Sequence, residues 1–201
     1  MEVKRRTQAE RSSATRDALT TAARALWAAR GYAAVGTPEI AREAGVTRGA
    51  MYHQFADKAA LFHAVIELVE QDMMQRLNEY VLAVGAASPA DGLRAAVEKW
   101  LEIAVEPEIR QLVLLDAPSV LGWDAYRDVA QRYALGATEQ LLAAAMDAGQ
   151  LARQPTRALA HVLIGAMDEA AMVVATAEDR EQALADVRDV LGRLLEGLLI
   201  G

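Results

Sequence analysis

An all-α fold of about nine helices is what this chain predicts, and three observations carry it. Aromatic residues are only 5% of the 201, and no run alternates β-branched with polar side chains, so strand signals are nearly absent. Ala, Leu, Glu and Arg dominate, the types that lose least on entering a helix. The five prolines, Pro38, Pro89, Pro107, Pro118 and Pro155, fall between periodic segments, where a missing N–H and a fixed φ suit helix starts and connections.

Taken in order, a capping box at Thr7 and Glu10 opens the first helix; Leu19, Ala22, Ala23, Leu26 and Trp27 form its apolar stripe and Gly31 ends it. Thr37 caps a second helix of about two turns, with Pro38 at its first position, Ile40, Ala41 and Ala44 inward, and Gly45 as a left-handed stop. Thr47 caps a third, within VTRGAMYHQF (46–55), where Val46 before the cap and Met51 at the fourth helical position form a hydrophobic staple. Asp57 caps a long fourth helix, whose Leu61, Val65, Leu68 and Val69 carry the apolar face toward Val84.

After Gly85 the body begins. Ser88, Pro89 and Asp91 open a fifth helix reaching about Val105, and Pro107 opens a sixth ending near Asp116, followed by a looser APSVLGW segment. A seventh runs from about Asp124 to Ala148 and stops at Gly149. The eighth, Thr156 to Thr176, is apolar nearly all round and has to be covered on two sides. The ninth, Asp179 to Leu199, sets Leu184, Val187, Leu191, Leu194 and Leu198 at steps of 3, 4, 3 and 4, a helix-on-helix seam. No internal repeat or low-complexity linker appears.

A length of 201 residues, 53% of them hydrophobic, is enough for one large or two small domains with a real core. The absence of cysteine excludes disulfides, thiolate zinc sites and thiol nucleophiles, and makes a reducing compartment the default. The N-terminus has basic residues but no apolar run of signal type, and no window reads as a membrane span, so a soluble, cytoplasmic protein is expected. The net charge of −7 is unevenly spread: residues 1–60 hold ten Lys and Arg against six Asp and Glu (+4), the rest eleven against twenty-two (−11). A basic module precedes an acidic body.

The third helix explains why a basic module is there. At about 100° per residue, Met51 and Phe55 point inward while Gly49 and His53 lie opposite, flanked by Ala50 and Tyr52, with Arg48 at the N-terminal end. A short helix, a tight glycine turn and a second helix with a polar, unbulky front are the parts of a helix-turn-helix, whose second helix reads base edges in the DNA major groove. The run TPEIAREAGVTRGAMYHQFADKAALFHAV (37–65), with AARALWAARGY upstream, resembles the DNA-binding domain of TetR/AcrR-type transcriptional regulators. Thr37, Ile40, Ala41, Ala44, Gly45, Val46, Gly49, Tyr52, Phe55, Lys58 and Leu61 fall at that family's spacings.

The resemblance implies that Thr37, Tyr52, His53 and Lys58 reach phosphates and that Thr47, Arg48, Gly49 and Ala50 approach base edges. Arg48 is the side chain able to grip a guanine bidentately, and Lys58 at a helix N-terminus suits a phosphate. Lys4, Arg5, Arg6 and Arg11 form a basic arm that either follows phosphates or enters the minor groove. Residues 1–57 are then the DNA-binding domain, 58–84 a connecting helix, and 85–201 a ligand-binding and dimerisation domain. A homodimer on a palindromic double-stranded operator is expected, since one helix-turn-helix makes too few contacts alone. Its interface candidates are Ala158, Val162, Ala166, Ala170, Leu184, Val187, Leu191, Leu194 and Leu198 on the last two helices, which could equally close the monomer's own core.

By the same resemblance the middle helices enclose a pocket for a largely apolar small-molecule effector. Candidate lining residues are Trp100, Ile103, Leu112, Trp123, Tyr126, Met146, His161, Met167 and Asp168, large, adaptable or polar residues that are otherwise plain core. A dimeric repressor released by its ligand is the expected function, with an activator of the same fold as the alternative. An all-α enzyme or metal protein has thin raw materials: no Gly-rich phosphate loop, no nucleophile elbow, and His63 with Glu67 as the best ligand pair among only three histidines. No cofactor, catalytic residue or metal site is expected.

Overall fold

The computed structural model describes residues 7–200; Lys4, Arg5 and Arg6 of the basic arm lie outside them. Nine helices follow among the described residues: α1 (Gln8–Arg30), α2 (Thr37–Glu43), α3 (Arg48–Gln54), α4 (Lys58–Ala83), α5 (Pro89–Ala104), α6 (107–121), α7 (Trp123–Asp147), α8 (Thr156–Thr176) and α9 (Arg180–Leu198). The all-α expectation holds, with only an isolated bridge between Leu151 and Leu199 besides.

The helix starts are set by local chemistry. Glu10 N donates to the Thr7 hydroxyl at 3.2 Å while Thr7 N donates to Glu10 Oε2 at 2.7 Å, so both halves of the capping box form. Thr47, Asp57, Ser88 and Asp179 accept in the same way at α3, α4, α5 and α9. One cap differs: Gly36, not Thr37, caps α2, and Thr37 is its first, buried residue. Gly45 takes a φ of 65°, and Val46 N donates to the Ala41 carbonyl at 2.9 Å, the closure that ends α2 and aims α3.

The stretch expected to be looser after Asp116 is helical to Leu121. Helix α6 runs from Pro107–Ile109 through a π-helical segment, Arg110–Asp116, into Ala117–Leu121. Pro118 has no N–H and its ring would press on the carbonyl four residues back; the wider turn, in which Ala117 N donates to the Leu112 carbonyl, accommodates it. Helix α8, 21 residues with a mean hydropathy of 1.6 in its most apolar window, has the length and composition to cross a membrane. It contacts α5, α7 and α9, buries Leu159, Ile164, Ala171 and Val174, and carries His161, Asp168 and Glu169.

Head and body share one core. A single cluster runs from Leu19, Trp27 and Met51 through Phe62 and Val69 to Trp100, Leu112 and Ala171. Trp27, fully buried, packs edge-on to Phe62 (5.3 Å) and tilted to Tyr32 (5.4 Å). Polar ties run alongside: Arg24 donates twice to Glu108 at 2.7 Å and once to Asp72 at 3.2 Å, and Tyr32 N donates to Asp116 at 2.8 Å.

Candidate nucleic-acid interface and internal cavity

Helix α3 is fixed from beneath. Met51 is fully buried and Phe55 is 4% exposed, with Val46 half-buried against the same core. The Thr47 hydroxyl accepts from Ala50 N at 3.1 Å and starts the helix. With its inner side anchored, α3 turns Thr47, Arg48, Gly49, Tyr52 and His53 to solvent, and Ala50 flanks them half-buried. A Cβ added at Gly49 would meet only its neighbour Thr47 Oγ1, at 3.9 Å, so another body can approach this backbone freely.

The front of α3 is also braced. Thr37 Oγ1 lies 3.3 Å from the Tyr52 hydroxyl, and the Arg48 guanidinium sits 5.7 Å from the Tyr52 ring centroid. The Thr37 hydroxyl, then Arg48, holds the Tyr52 phenol below its ordinary value. Helix α1 buttresses the other end, where Gln54 Nε2 donates to Ser12 Oγ at 2.8 Å and Arg16 donates to the Gln54 carbonyl at 3.4 Å while stacking over Phe55 at 4.3 Å. Arg16 adds a cation at this end of α3, and the 77%-exposed Arg42 pairs with Glu39 on α2. Arg16 was legible as a polar-face arginine, but its nearness to α3 was not.

Two of the expected phosphate contacts are placed differently. Lys58 Nζ donates to the Tyr32 carbonyl at 2.6 Å and lies 3.9 Å over the Tyr32 ring, so its charge is turned into the head. Burial holds its ammonium below the ordinary value. Thr37 is buried and its hydroxyl is engaged with Tyr52. Thr37 is thus tied to Tyr52 of α3 and Lys58 to Tyr32.

Behind the head, α4, α5, α6, α7 and α8 enclose a cavity. Glu70, Met73 and Met74 of α4, Trp100, Tyr126, and Met167 with Asp168 of α8 line it. Glu70 is only 3% exposed, and neither it nor Asp168 has a hydrogen-bond or salt-bridge partner among the described residues. Burial, then the Asp168 charge, pushes the Glu70 carboxyl up to about 8. Burial pushes Asp168 up to about 6 against the opposing pull of Arg127, and the Tyr126 phenol is raised by burial and by both carboxylates. A second recess adjoins through Tyr126 and Asp168, with Trp123, 64% exposed, and His161 on its wall. His161 Nδ1 is buried without a partner.

Residues 19–65 match the bacterial regulatory proteins of the tetR family, and residues 90–198 match the tetracyclin repressor-like C-terminal domain. The chain belongs to the TetR family. A TetR-family transcriptional regulator from Pectobacterium atrosepticum superposes with a TM-score of 0.85 at 36% identity, covering 98% of this chain and 99% of that one. RolR in complex with resorcinol shares the fold at 21% identity, with a TM-score of 0.73 over 95% of both chains. The Tn10 TetC protein of Escherichia coli is 24% identical over 79% of both chains, and the regulator AcrR of Shigella flexneri 36% identical over 50% of this chain and 46% of its own. The protein is therefore a DNA-binding transcriptional regulator of the TetR family, and not an enzyme.

In this TetR-family chain three expected pocket residues are core instead. Ile103 and Leu112 are fully buried in the shared core, and Met146 packs with Leu142 and Leu159 in a second cluster. Helical periodicity marks an inward position but does not separate a cavity wall from a filled interior. Glu70 was missed; it sits between Ile66 and Met73 on the inward stripe of α4, a charged residue at an apolar register.

The expected interface set divides too. Ala170 and Leu191 are buried, and Ala166, Leu184 and Val187 pack around them against Leu101, which closes the subunit's own core; Leu198 joins the second cluster. Ala158, Val162 and Leu194 face solvent, together with Gly165, Val173, Val190 and Ile200, which were not singled out. The seam read from the sequence is thus largely the inner face of α9, and the uncovered apolar side lies a third of a turn away.

Proposed function

We propose that this regulator is a cytoplasmic homodimeric repressor, released from a palindromic operator by a small molecule bound in the body's cavity. The observation that carries the DNA half is the front of α3: Arg48, Tyr52 and His53 stand exposed above the fully buried Met51, with no bulk at Gly49. Residues 1–57 act as the reading head, α4 connects it, and the remainder binds ligand and partner. Thr47, Arg48, Gly49 and Ala50 meet base edges, and Arg48 discriminates among them. Tyr52 and His53 meet phosphate, while Thr37 holds Tyr52 in place and Lys58 ties α4 to Tyr32.

The uncovered apolar strip on α8 and α9, with Val162, Val173, Val190 and Leu194 as its bulk and Ala158 and Gly165 as its close-approach points, supports pairing about a two-fold axis. The cavity supports an effector, and RolR, of the same fold, is known with resorcinol bound. Since head and body share one core, an effector that prefers one spacing of the paired heads lowers operator affinity, and operator binding lowers effector affinity by the same factor.

Fluorescence anisotropy of the full chain on DNA from its own upstream region, titrated with salt, tests the reading. The expected outcome is a falling log–log slope of about −0.9 per neutralised phosphate, with one dimer per site. A flat slope, or binding by a lone subunit, would remove it.

A further inference from the structure

Two adjoining chambers of unlike polarity lie in the body. In one, Glu70 of α4 and Asp168 of α8 face the space beside Trp100 and Tyr126. Met74, Leu77, Thr138 and Met167 line both this chamber and a second one, which continues between α5, α7, α8 and α9 along Val97, Leu141, Leu163 and Leu191. Apart from Asn78 and Thr138 the second chamber is apolar. The two chambers adjoin across Met74, Leu77, Thr138 and Met167, with carboxylates bordering one and hydrocarbon the other.

The carboxylate chamber is incomplete as a structure. Glu70 is only 3% exposed and accepts no hydrogen bond among the described residues, and Arg127, the cation that acts on Asp168, lines the outer recess. A buried carboxylate without donors is costly, so a core-forming side chain at position 70 would serve stability better. Because burial and the neighbouring carboxylate raise both groups, to about 8 and about 6, the pair holds roughly one proton and one negative charge near neutrality. Trp100 and Tyr126 border the same space, and aromatic rings attract cations.

We infer that the effector is a cationic amphiphile whose singly charged ammonium-type head seats between Glu70 and Asp168 against Trp100 and Tyr126, and whose hydrocarbon tail fills the chamber along Val97, Leu141 and Leu163. This rests on the proposed reading of the cavity as the effector site. An anionic amphiphile would bring like charge to two carboxylates, and a neutral one would leave them unpaired. Met74 and Met167, which line both chambers, adjust to tails of different shape.

Dodecylammonium, dodecanol and dodecanoate, each below its micellar range, are to be titrated calorimetrically into the full chain and, separately, into its operator complex. Dodecylammonium should bind one per chain at least about tenfold tighter than dodecanol, with dodecanoate weakest. Glu70→Gln combined with Asp168→Asn should erase that preference while dodecanol still binds, showing that the cavity is intact. Leu163→Trp, which occupies the tail chamber, should weaken dodecylammonium and dodecanol alike. Equal or tighter binding of dodecanol or dodecanoate, or a preference that survives the double amide variant, would overturn the ligand class. Should dodecylammonium bind at the carboxylates without changing operator affinity, the ligand class stands and the effector reading falls. Should a non-cationic compound release the operator in a manner blocked by Leu163→Trp, the effector reading stands and the ligand class falls.

Discussion

The front of α3 and the wall of the cavity are both short lists of side chains on helices, but they come about in opposite ways. The α3 surface is contiguous: a cap at Thr47, a staple from Val46 to Met51, an anchor at Phe55 and a front of Arg48, Gly49, Tyr52 and His53 all lie within ten residues. The cavity's carboxylates stand on α4 and α8, and they meet only because α5, α6 and α7 pack around them. A surface built from neighbours in sequence can be read from its register; a chamber built from distant helices is defined by what the packing leaves unfilled. The difference also separates their energetics. Exposed α3 residues can change with little effect on stability, whereas each cavity residue bears on folding as well as on the shape of the chamber.

Removing the shared core gives the largest effect. Trp27→Ala should cost about 3–5 kcal/mol, since the ring is fully buried between Tyr32 and Phe62. Urea unfolding followed by far-UV circular dichroism should show one transition moved to lower denaturant. A head that melts separately from an undisturbed body would break the idea of a continuous core.

The next effect sharpens the cavity side. The folded-state value of Glu70, about 8, lies above its ordinary 4.5, so the native state holds this proton more tightly than the unfolded chain. The stability linked to it is full below about pH 4.5 and is lost as pH rises through about 8. Glu70→Gln should therefore leave stability nearly unchanged at pH 5 and raise it at pH 9, by an amount on the order of a few kcal/mol. Parallel pH profiles for the two proteins would show that the carboxyl is not buried in solution.

On the head side, Arg48→Ala should cost roughly 1–3 kcal/mol at one base pair of the operator and almost nothing in stability. Lys58→Ala should do the reverse, lowering the melting temperature through the lost Tyr32 contacts while the salt slope of DNA binding stays as it was. A slope reduced by about one in the Lys58 variant would return that residue to the phosphates. The smallest effect is Thr47→Ala, about 1 kcal/mol of stability from the lost α3 cap, measured by urea midpoint.

Much of the head was legible because each signal acts within a turn or two. Thr7, Thr47, Asp57 and Ser88 cap helices where their spacing placed them, and Gly45 takes the left-handed turn that its position demanded. Thr37 and Lys58 were not legible in the same way. Their partners, Tyr52 and Tyr32, are 15 and 26 residues away, and a hydroxyl or ammonium is equally suited to water, a phosphate or such a contact.

What the sequence determined alone was therefore everything set by period and by local hydrogen bonding: an all-helical chain, most of its helix starts, and a short helix whose polar front has to face outward once Met51 and Phe55 turn in. Only the tertiary structure decided which inward positions became solid core, as at Ile103, Leu112 and Met146, and which became cavity wall, as at Glu70 and Asp168. It likewise decided which side of α9 closed the subunit and which stayed bare. The physical reason is that a helix's period states the direction of a side chain, while the residues it meets depend on how several helices pack around it.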